Sequence, residues 1–554
     1  MKTGITKGIL ISTLFSACGA LMFGLDNGWW ATVIGLKTFG AAMGTQVAAD
    51  GTVSLSAPQQ SAGTGLGQAG IMIGCGFASF INHRFGRRKS VVVMAIVALI
   101  GITIQLTAST YGGAIDTTHI YTRDGHFRYW QLVVGKLVNS ISMGLACNVI
   151  PTYQSELAPA KWRGLIINLY QFVQIVGVVV CTACVYALSE RTTYISWQVP
   201  IGLQFIAPLL LLLGISLMPE SPRWLVWNGR SAEAIDVLRR LHGADPSYSP
   251  ELEVAELESV YAAEKTMRRP SVFDVFRGPD LRRTLIATGV QCLQAAQGSS
   301  YMTNYIVLFL QDLGITDIFK IVMIVYVVYL VGVSGSFYLP DAFGRRPLMI
   351  LGAFICGTCL ICVAAINAGM NPIPNSAQQA MVGLIFIWYF FFGLIWSPLT
   401  WIVSTEVCSA RAREITLTVA TFSGFGVNLL RFSFTIGPIC DVLLVSCFRM
   451  ITLVSPYLQD TGYGDMGSNI GFLWGGFTIA SIFFVYFFVP EMKGLTLEQL
   501  DYLFDHDVST FKFQNYRFPE SWQTEAKEGS VAGSEENRRG GKDRSRLTID
   551  VLDK

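Results

Sequence analysis

Long apolar runs alternate with short polar segments along most of the chain. A helix needs about 20 apolar residues to cross the hydrocarbon core of a bilayer, and the chain contains twelve runs of roughly that length. They lie near residues 8 to 30, 64 to 82, 90 to 109, 129 to 152, 165 to 188, 197 to 218, 283 to 309, 318 to 340, 347 to 368, 380 to 404, 414 to 438 and 470 to 490. This pattern predicts an all-α membrane protein with twelve transmembrane helices.

Two polar regions interrupt the pattern. Between the sixth and seventh runs, residues 219–280 place apolar positions at helical spacing, which predicts short amphipathic helices. The end of the chain is too polar to bury a core and is expected to be largely disordered. We therefore expect a six-helix bundle over 1–218, a linker over 219–280, a second six-helix bundle over 281–504 and a tail over 505–554.

The composition restricts the class of protein. Only 14% of the 554 residues are charged, whereas a soluble domain carries about 25%, so most of the surface is expected to face a lipid bilayer. The net charge of +2 and the lack of a basic patch interleaved with aromatic residues argue against nucleic acid as a partner. The sequence contains no nucleotide-binding glycine loop, metal-ligand cluster or nucleophile-base motif, so neither an enzyme nor a cofactor is expected.

Most of the twelve cysteines lie in or beside apolar runs, where a thiol usually packs as a small hydrophobic group. Cys356, Cys359 and Cys362 repeat on one helix face, but no histidine or carboxylate joins them in that segment, so a metal site is not favoured. Cys440 and Cys447 flank a predicted outer loop, and a disulfide between them is one option.

Lysines and arginines concentrate in loops that fall on one side if the runs alternate across the membrane. Positive residues are enriched in short cytoplasmic loops, so that side is predicted to be the cytoplasm, with both termini there. The residues concerned are Arg84, Arg87, Arg88, Lys89, Lys161, Arg163, Arg345, Arg346, Arg411 and Arg413.

The two halves of the chain repeat three sequence features. The segment HRFGRRK at 83–89 follows the second run, and DAFGRRP at 341–347 follows the eighth, at an offset of 258 residues. A glutamate precedes an arginine by seven residues after the fourth run and again after the tenth, and Pro-Glu follows both the sixth and the twelfth runs. A duplication of six helices explains all three pairs, and such parallel repeats are typical of two-bundle transporters.

Four segments resemble the signatures of a known family. They are PTYQSELAPAKWRG at 151–164, PESPRWL at 219–225, DAFGRRP at 341–347 and PEMKGLTLEQL at 490–500. Each occupies the span boundary expected for the sugar porter branch of the major facilitator superfamily, and the resemblance covers the chain to about residue 505. The segment FGLDNGWW and the long tail resemble a fungal member.

The resemblance implies a secondary active transporter in the plasma membrane. Its small-molecule substrate would be a sugar or related polyol, moved by alternating access in symport with protons and without a cofactor. Two alternatives stay open at this point: a carrier for a non-sugar metabolite, and a sugar sensor that binds without transport.

The resemblance also implies a cytoplasmic gate of ion pairs. Opposite charges at the span ends can bridge the two bundles and must separate when the inside opens, although each arginine alone is also explained as a topology signal or a lipid contact. The gate residues are Arg87, Glu156, Arg163, Arg345, Glu406 and Arg413. This chain has His83 where the family usually has aspartate, while Asp341 is kept in the second copy. We therefore expect a weaker gate in the first half.

Asp26 lies inside the first run. A carboxylate in a membrane helix costs roughly 2.5 to 3.5 kcal/mol on insertion scales, so it is expected to be paired, protonated or functional. Its position resembles that of the proton-coupling aspartate of sugar/H⁺ symporters, and Lys136 stands where their partner arginine does. We expect protonation of Asp26 to release Lys136 and allow closure around the substrate. The alternative is that Asp26 is simply hydrated near the outer end of its span.

The resemblance assigns the substrate to amide and indole side chains, which suit sugar hydroxyls and C–H faces. The candidates are Gln171, Gln294, Ser300, Asn304, Trp401 and Asn428. Hexose-transporting members typically have Gln-Gln-x-x-Gly-Ile-Asn in the seventh span, whereas Ala295 replaces the second glutamine here and Ser300 the asparagine. A disaccharide, polyol, sugar acid or secondary metabolite is therefore a plausible cargo in place of glucose. Arg431, in the eleventh run, either faces the cavity or is a structural partner of a helix end.

Overall fold

The computed structural model describes residues 6 to 519, apart from the segments 48–52, 109–122, 158–162, 243–248, 267–272, 313–314, 316, 371–372, 410–411, 430–468, 496 and 517. Within these residues the chain is almost entirely helical. One short antiparallel hairpin pairs β1 (Gln46–Val47) with β2 (Val53–Ser54).

The first half forms six membrane helices close to the predicted runs, the sixth in two pieces. The elements are α1 (Lys7–Val33), the short α2 (Lys37–Met43), α3 (Ala57–Phe85), α4 (Arg87–Thr107), α5 (Arg123–Leu157), α6 (Arg163–Leu188), α7 (Ile195–Leu203) and α8 (Ile206–Gly214). Long uninterrupted helices are what apolar runs form in lipid, because each backbone polar group must be bonded inside the segment.

The polar linker folds into short helices, as its apolar spacing predicts. These are α9 (Pro222–Trp227), α10 (Ser231–His242) and α11 (Pro250–Thr266), followed by a 3₁₀ turn at Asp274–Phe276. They share a small hydrophobic core made by Leu225, Val226, Ala234, Leu238 and Val254. The linker is therefore a packed unit between the two halves.

The second half repeats the arrangement of the first. Its elements are α12 (Gly278–Gln294), α13 (Ser300–Asp312), α14 (Ile318–Gly335), α15 (Leu339–Phe343), α16 (Arg345–Gly369), α17 (Asn375–Phe391), α18 (Ser397–Val407), α19 (Arg413–Leu429), α20 (Ile470–Phe488) and α21 (Leu497–Asp505). Among the described residues, ten helices are long and apolar enough to cross a membrane. The segment 278–312 and α19 occupy the positions of the seventh and eleventh spans, which is consistent with twelve helices in two six-helix bundles.

Two spans of the second half are less regular than an uninterrupted apolar run predicts. The seventh span changes direction between α12 and α13, where Gly298 has a φ of 86°, a conformation that favours glycine. The tenth span contains a π-helical turn at Phe392–Trp396, between α17 and α18. Such turns frequently occur at functional sites, and both lie beside the cavity described below.

The helices of each half pack mainly on one another. In the first half α3 and α4 pack on α5, and α1 packs on α6; in the second half α16 packs on α20, and α12 packs on α19. The halves meet where α3 contacts α19, α6 contacts α14 and α1 contacts α13. This leaves an internal space between the halves.

The start of the tail lies against the second half. Arg282 of α12 donates to the Val508 carbonyl and to Thr510 Oγ1, both at 2.9 Å. Phe513 is buried in the main core. The tail is thus packed at least to that residue, and the part after residue 519 lies outside the described residues.

The cysteine predictions fall partly within the described residues. Cys356 and Cys359 are buried free thiols, and no group of three or more metal-ligating side chains was found in the described part of the chain. Cys440, Cys447 and Arg431 lie outside the described residues.

Candidate functional site

A cavity of about 140 Å³ lies between the two halves. The lining comes from helices of both bundles, including the irregular turns of the seventh and tenth spans. Its residues are Phe23, Asn27, Gln68, Cys147, Tyr170, Gln171, Gln174, Gln291, Gln294, Ala295, Ser299, Thr303, Asn304, Tyr329, Phe392, Ser397, Trp401, Gly424 and Phe425. The cavity is therefore lined mostly by amide, hydroxyl and aromatic groups.

The structure brings four of the six predicted substrate-binding residues to this cavity, namely Gln171, Gln294, Asn304 and Trp401. Ser300 and Asn428 lie on α13 and α19, but their side chains are outside the described residues. Gln294 Nε2 lies 3.4 Å from the Trp396 carbonyl, which ties α12 to the π-helical turn of the tenth span.

Four further amide side chains line the cavity: Asn27, Gln68, Gln174 and Gln291. The sequence held a signal for two of them, because Gln174 follows Gln171 by three residues and Gln291 precedes Gln294 by three. Residues three apart on a helix share a face. Gln68, among the glycines of α3, has no comparable sequence signal.

No charged side chain lines the cavity among the described residues. Amide groups offer a donor and an acceptor together, which matches a hydroxyl, and aromatic rings pack on C–H faces. The arrangement suits a neutral ligand with several hydroxyl groups.

The Asp26 carboxylate is buried beside the cavity and surrounded by donors. Lys136 Nζ lies 3.0 Å from Asp26 Oδ2, while Asn139 Nδ2 and Trp29 Nε1 lie 3.1 Å and 3.0 Å from Oδ1. The side-chain amide of Gln204 lies 3.0 Å from Asn139 Nδ2 and 3.2 Å from Asp26 Oδ1. With 2% exposure, Asp26 is paired in this conformation and not hydrated at the protein surface.

Two residues of the cavity wall are sequence neighbours of residues at the buried ion pair. Asn27, the residue after Asp26, lines the cavity. On α3, a Cβ added to Gly67 would lie 3.0 Å from Lys136 Cε, and the next residue, Gln68, lines the cavity.

Two clusters of charged residues lie at the helix ends that carry the Gly-Arg-Arg turns. We call this end of the protein the arginine end. In the first half Arg87 forms two parallel hydrogen bonds with Glu156, at 2.9 Å and 2.6 Å. The Glu220 carboxylate accepts the backbone N–H groups of Arg87 and Arg88 at 2.8 Å and 3.2 Å. A carboxylate at a helix N-terminus is favourable. Burial raises the pKa of Glu220, while these backbone hydrogen bonds oppose the rise.

The second half repeats this geometry. Arg345 pairs with Glu406 at 2.9 Å and 3.2 Å, and Glu491 accepts the N–H groups of Arg345 and Arg346 at 3.1 Å and 3.0 Å. Asp341 adds a further contact to Arg345 at 3.0 Å. Glu220 and Glu491 belong to the two Pro-Glu repeats, whose part in the clusters the sequence analysis missed.

A charged pair connects the halves at the arginine end. Arg87 Nη2 lies 3.3 Å from Glu414 of α19, a residue that the sequence analysis did not select. Arg413 Nε is buried without a hydrogen-bond partner within the described ranges, and Arg345, not Arg413, pairs with Glu406 there. The side chain of Arg163 is outside the described residues.

The halves also meet through uncharged groups at both ends. At the arginine end Ser79 Oγ lies 3.0 Å from Thr418 Oγ1, and Asn168 Nδ2 donates to Ser336 at 3.1 Å. At the opposite end, Gln311 of α13 donates to the carbonyl of Gly35, after α1, at 3.3 Å. The cavity lies between these two layers of contact.

Comparison with known proteins gives a consistent result. Residues 12–504 match the family described as "Sugar (and other) transporter". The chain is 28% identical over 532 residues to the "Probable glucose transporter rco-3" of Neurospora crassa, covering 94% of this chain and 82% of that protein. It is 27% identical over 507 residues to the "High glucose sensor RGT2" of Saccharomyces cerevisiae, covering 89% of this chain and 60% of the sensor.

Among solved structures, the proton:xylose symporter XylE bound to 6-bromo-6-deoxy-D-glucose matches with a TM-score of 0.69. The match covers 90% of this chain and 100% of that chain at 21% identity. Likeness at this identity shows a common fold.

Proposed function

The chain belongs to the sugar (and other) transporter family of the major facilitator superfamily, and we propose that it carries a neutral sugar or related polyol across the membrane by alternating access in symport with protons. The relatives include sugar transporters and other major facilitator carriers, which are not enzymes. The observation that carries the proposal is the cavity between the halves, which has seven amide side chains and an indole ring.

The cavity favours a small neutral cargo. A sugar acid would call for a cation in the wall, and none of the described lining residues supplies one. The cavity of about 140 Å³ compares with an engineered cavity of about 150 Å³ that holds benzene in another protein. One six-membered ring therefore fits this conformation better than a disaccharide does.

Alternating access is supported by the contacts on both sides of the cavity. The Arg87–Glu414 pair and the hydroxyl pair Ser79–Thr418 hold the arginine end together, and the Gln311–Gly35 contact holds the opposite end. In the proposed cycle these two layers of contact open in turn. In the proposed orientation the arginine end is cytoplasmic, as the positive-inside rule predicts, both termini lie there, and the membrane is the plasma membrane.

Proton coupling is supported by the buried pair of Asp26 and Lys136. A proton on Asp26 removes its negative charge and weakens its attraction to Lys136, which then needs new partners. Because Asn27 follows Asp26, and Gln68 follows Gly67, which faces Lys136, both lining residues lie close to this pair along the chain. We expect loss of the ion pair to shift them and so to change the surface that the solute contacts. The fold neighbour XylE is described as a proton:xylose symporter.

A non-transporting sugar sensor is the second candidate, because one relative of similar identity is described as a high glucose sensor. This chain covers 60% of that sensor's length. Solute flux separates the two functions, since a sensor binds its ligand without moving it.

The decisive experiment is uptake into liposomes that contain the purified protein, with an imposed inward proton gradient. The labelled solutes are D-glucose, D-xylose, D-mannitol and maltose, and the variant is Asp26→Asn. Glu190→Gln is the matched control, because it removes an exposed carboxylate at the end of a membrane helix. A protonophore removes the gradient in a parallel series.

We expect the wild-type protein and Glu190→Gln to accumulate a monosaccharide or polyol above equilibrium. Asp26→Asn is expected to lose accumulation, to the level that the protonophore gives. Equilibration without accumulation by the wild-type protein would contradict symport and indicate facilitated diffusion. Binding without any flux would favour the sensor.

A further inference from the structure

Helix α3 lies unusually close to α5 because glycines form its contact face. A Cβ added to Gly70 would lie 2.4 Å from the Leu137 carbonyl oxygen, and one added to Gly74 would lie 2.2 Å from that of Ile141. Only glycine permits such backbone contact, as in other tightly packed membrane helices. Gln68 lies between these glycines and Gly67, and its side chain lines the cavity.

Within the ranges that the structure describes, the side-chain carbonyl of Gln68 has no hydrogen-bond partner. The residue is 8% exposed, and its Oε1 atom is buried with no hydrogen-bond partner among the described residues. Gln59, on the same helix, shows the usual situation: its Nε2 donates to the Met43 carbonyl at 2.8 Å, and its Oε1 accepts from Thr45 at 2.9 Å. Buried polar groups are nearly always hydrogen-bonded. Because Gln68 lines the cavity, a turn of its terminal amide brings the unpaired Oε1 to the cavity, where a donor from outside the protein can reach it.

We propose that Gln68 binds the transported solute, with its Oε1 accepting a hydrogen bond from a substrate hydroxyl. This inference rests on the proposed transport of a neutral polyhydroxy solute. Gln68 adds a binding group from α3 to those that the sequence analysis selected on α6, on the seventh and tenth spans and on α19. Because of this hydrogen bond, tight binding requires a hydroxyl group at one particular position of the solute.

The location of Gln68 gives this contact a second consequence. Gly67, the preceding residue, touches the stem of Lys136. The solute hydroxyl that donates to Gln68 is therefore bound by the same turn of α3 that faces the buried Asp26–Lys136 pair. Gln68 is thus a specificity-determining residue next to the proposed coupling site.

The test compares Gln68→Met with Gln105→Met. Methionine keeps the length of the glutamine side chain and removes its amide. Gln105, on α4, is the matched control, because both of its amide atoms are buried without a partner in the described part of the chain and it does not line the cavity. Gln68→Asn is a second variant that keeps an acceptor on a shorter side chain. Affinity is measured on the purified full-length protein by titration calorimetry.

The ligand is whichever of D-glucose, D-xylose and D-mannitol the wild-type protein binds most tightly, together with its monodeoxy analogues. We expect Gln68→Met to weaken binding of the parent solute about five- to tenfold, the effect of one lost hydrogen bond, and Gln105→Met to change it less than about twofold. One monodeoxy analogue should bind equally to the wild-type protein and to Gln68→Met, because it lacks the hydroxyl concerned.

Three results overturn the inference. Unchanged affinity of Gln68→Met for the parent solute shows that Gln68 makes no contact with it. Equal weakening for the parent and for every deoxy analogue, in both Gln68 variants, shows a structural role instead. If the wild-type protein binds none of the three solutes, the proposed function fails and this inference fails with it, whereas the first two results leave the proposed function intact.

Discussion

The arginine clusters of the two halves contain the same kinds of residue, but their arginines differ in whether they contact the other half. In each half a glycine with positive φ precedes a helix, a carboxylate from a Pro-Glu segment accepts the first N–H groups, and a glutamate from the fourth or tenth span pairs with the arginine. Arg87 also reaches Glu414 in the other half. Among the described residues Arg345 contacts carboxylates of its own half, Glu406 and Asp341.

The same duplicated motif can therefore stabilise one bundle and, in the other copy, also connect the two bundles. The pair Arg87–Glu156 is the more buried, with both side chains 9% exposed, against 12% and 24% for Arg345 and Glu406. The Glu414 side chain, in contrast, is 50% exposed. We infer that the pairs within each half stabilise the fold, while the exposed pair between the halves can break at small cost.

The largest expected effect concerns the buried pair of the first half. Glu156→Gln should lower the free energy of unfolding by about 3 kcal/mol, because it leaves the buried Arg87 without its main partner. Glu406→Gln should cost only about 1 kcal/mol, since Arg345 is more exposed and keeps Asp341. Thermal unfolding of the purified protein measures both, with Glu233→Gln in the exposed part of the linker as the control. Equal shifts for the two variants would contradict the comparison.

The sequence predicts the clusters within each half better than it predicts the contacts between packed helices. Apolar runs and the repeated Gly-Arg-Arg segments predicted the helices and the two clusters, because periodicity and span ends are local properties of the chain. The partner Glu414 was missed, since it depends on how α19 packs against α3 and the neighbouring sequence offered Arg413 as the more obvious choice. Gln68 was missed for a related reason: its importance comes from an unpaired atom, which only packing reveals.

A smaller effect is expected from the contact between the halves. Glu414→Gln removes the Arg87–Glu414 pair, and exposed pairs contribute about 0.2 to 1 kcal/mol, so opening at the arginine end should become up to about fivefold more frequent. Cys147 lines the cavity and is buried, so its rate of alkylation by N-ethylmaleimide, read by mass spectrometry, reports opening. Glu406→Gln is the matched control, because its partner lies in its own half. An unchanged rate in Glu414→Gln would show that the uncharged contacts alone control this end.

The smallest effect is expected at one position where the two repeated segments differ, which is His83 in the first half and Asp341 in the second. His83 precedes Arg87 by four residues, as Asp341 precedes Arg345, and the sequence analysis expected the histidine to weaken the gate. Because Arg87 contacts Glu414 of the other half, we now expect the opposite sign. An aspartate at position 83 would offer Arg87 a partner within its own half, across the turn at Gly86, as Asp341 offers Arg345 across Gly344. Such an exposed pair contributes at the lower end of about 0.2 to 1 kcal/mol and would compete with Glu414.

His83→Asp should therefore raise the alkylation rate of Cys147 by up to about twofold, and Asp341→His should leave it unchanged. A slower rate in His83→Asp would mean that an added carboxylate strengthens the contact between the halves. In that case Arg87 would pair with both carboxylates at once. The two clusters would then differ only in the strength of their ion pairs and not in whether they contact the other half.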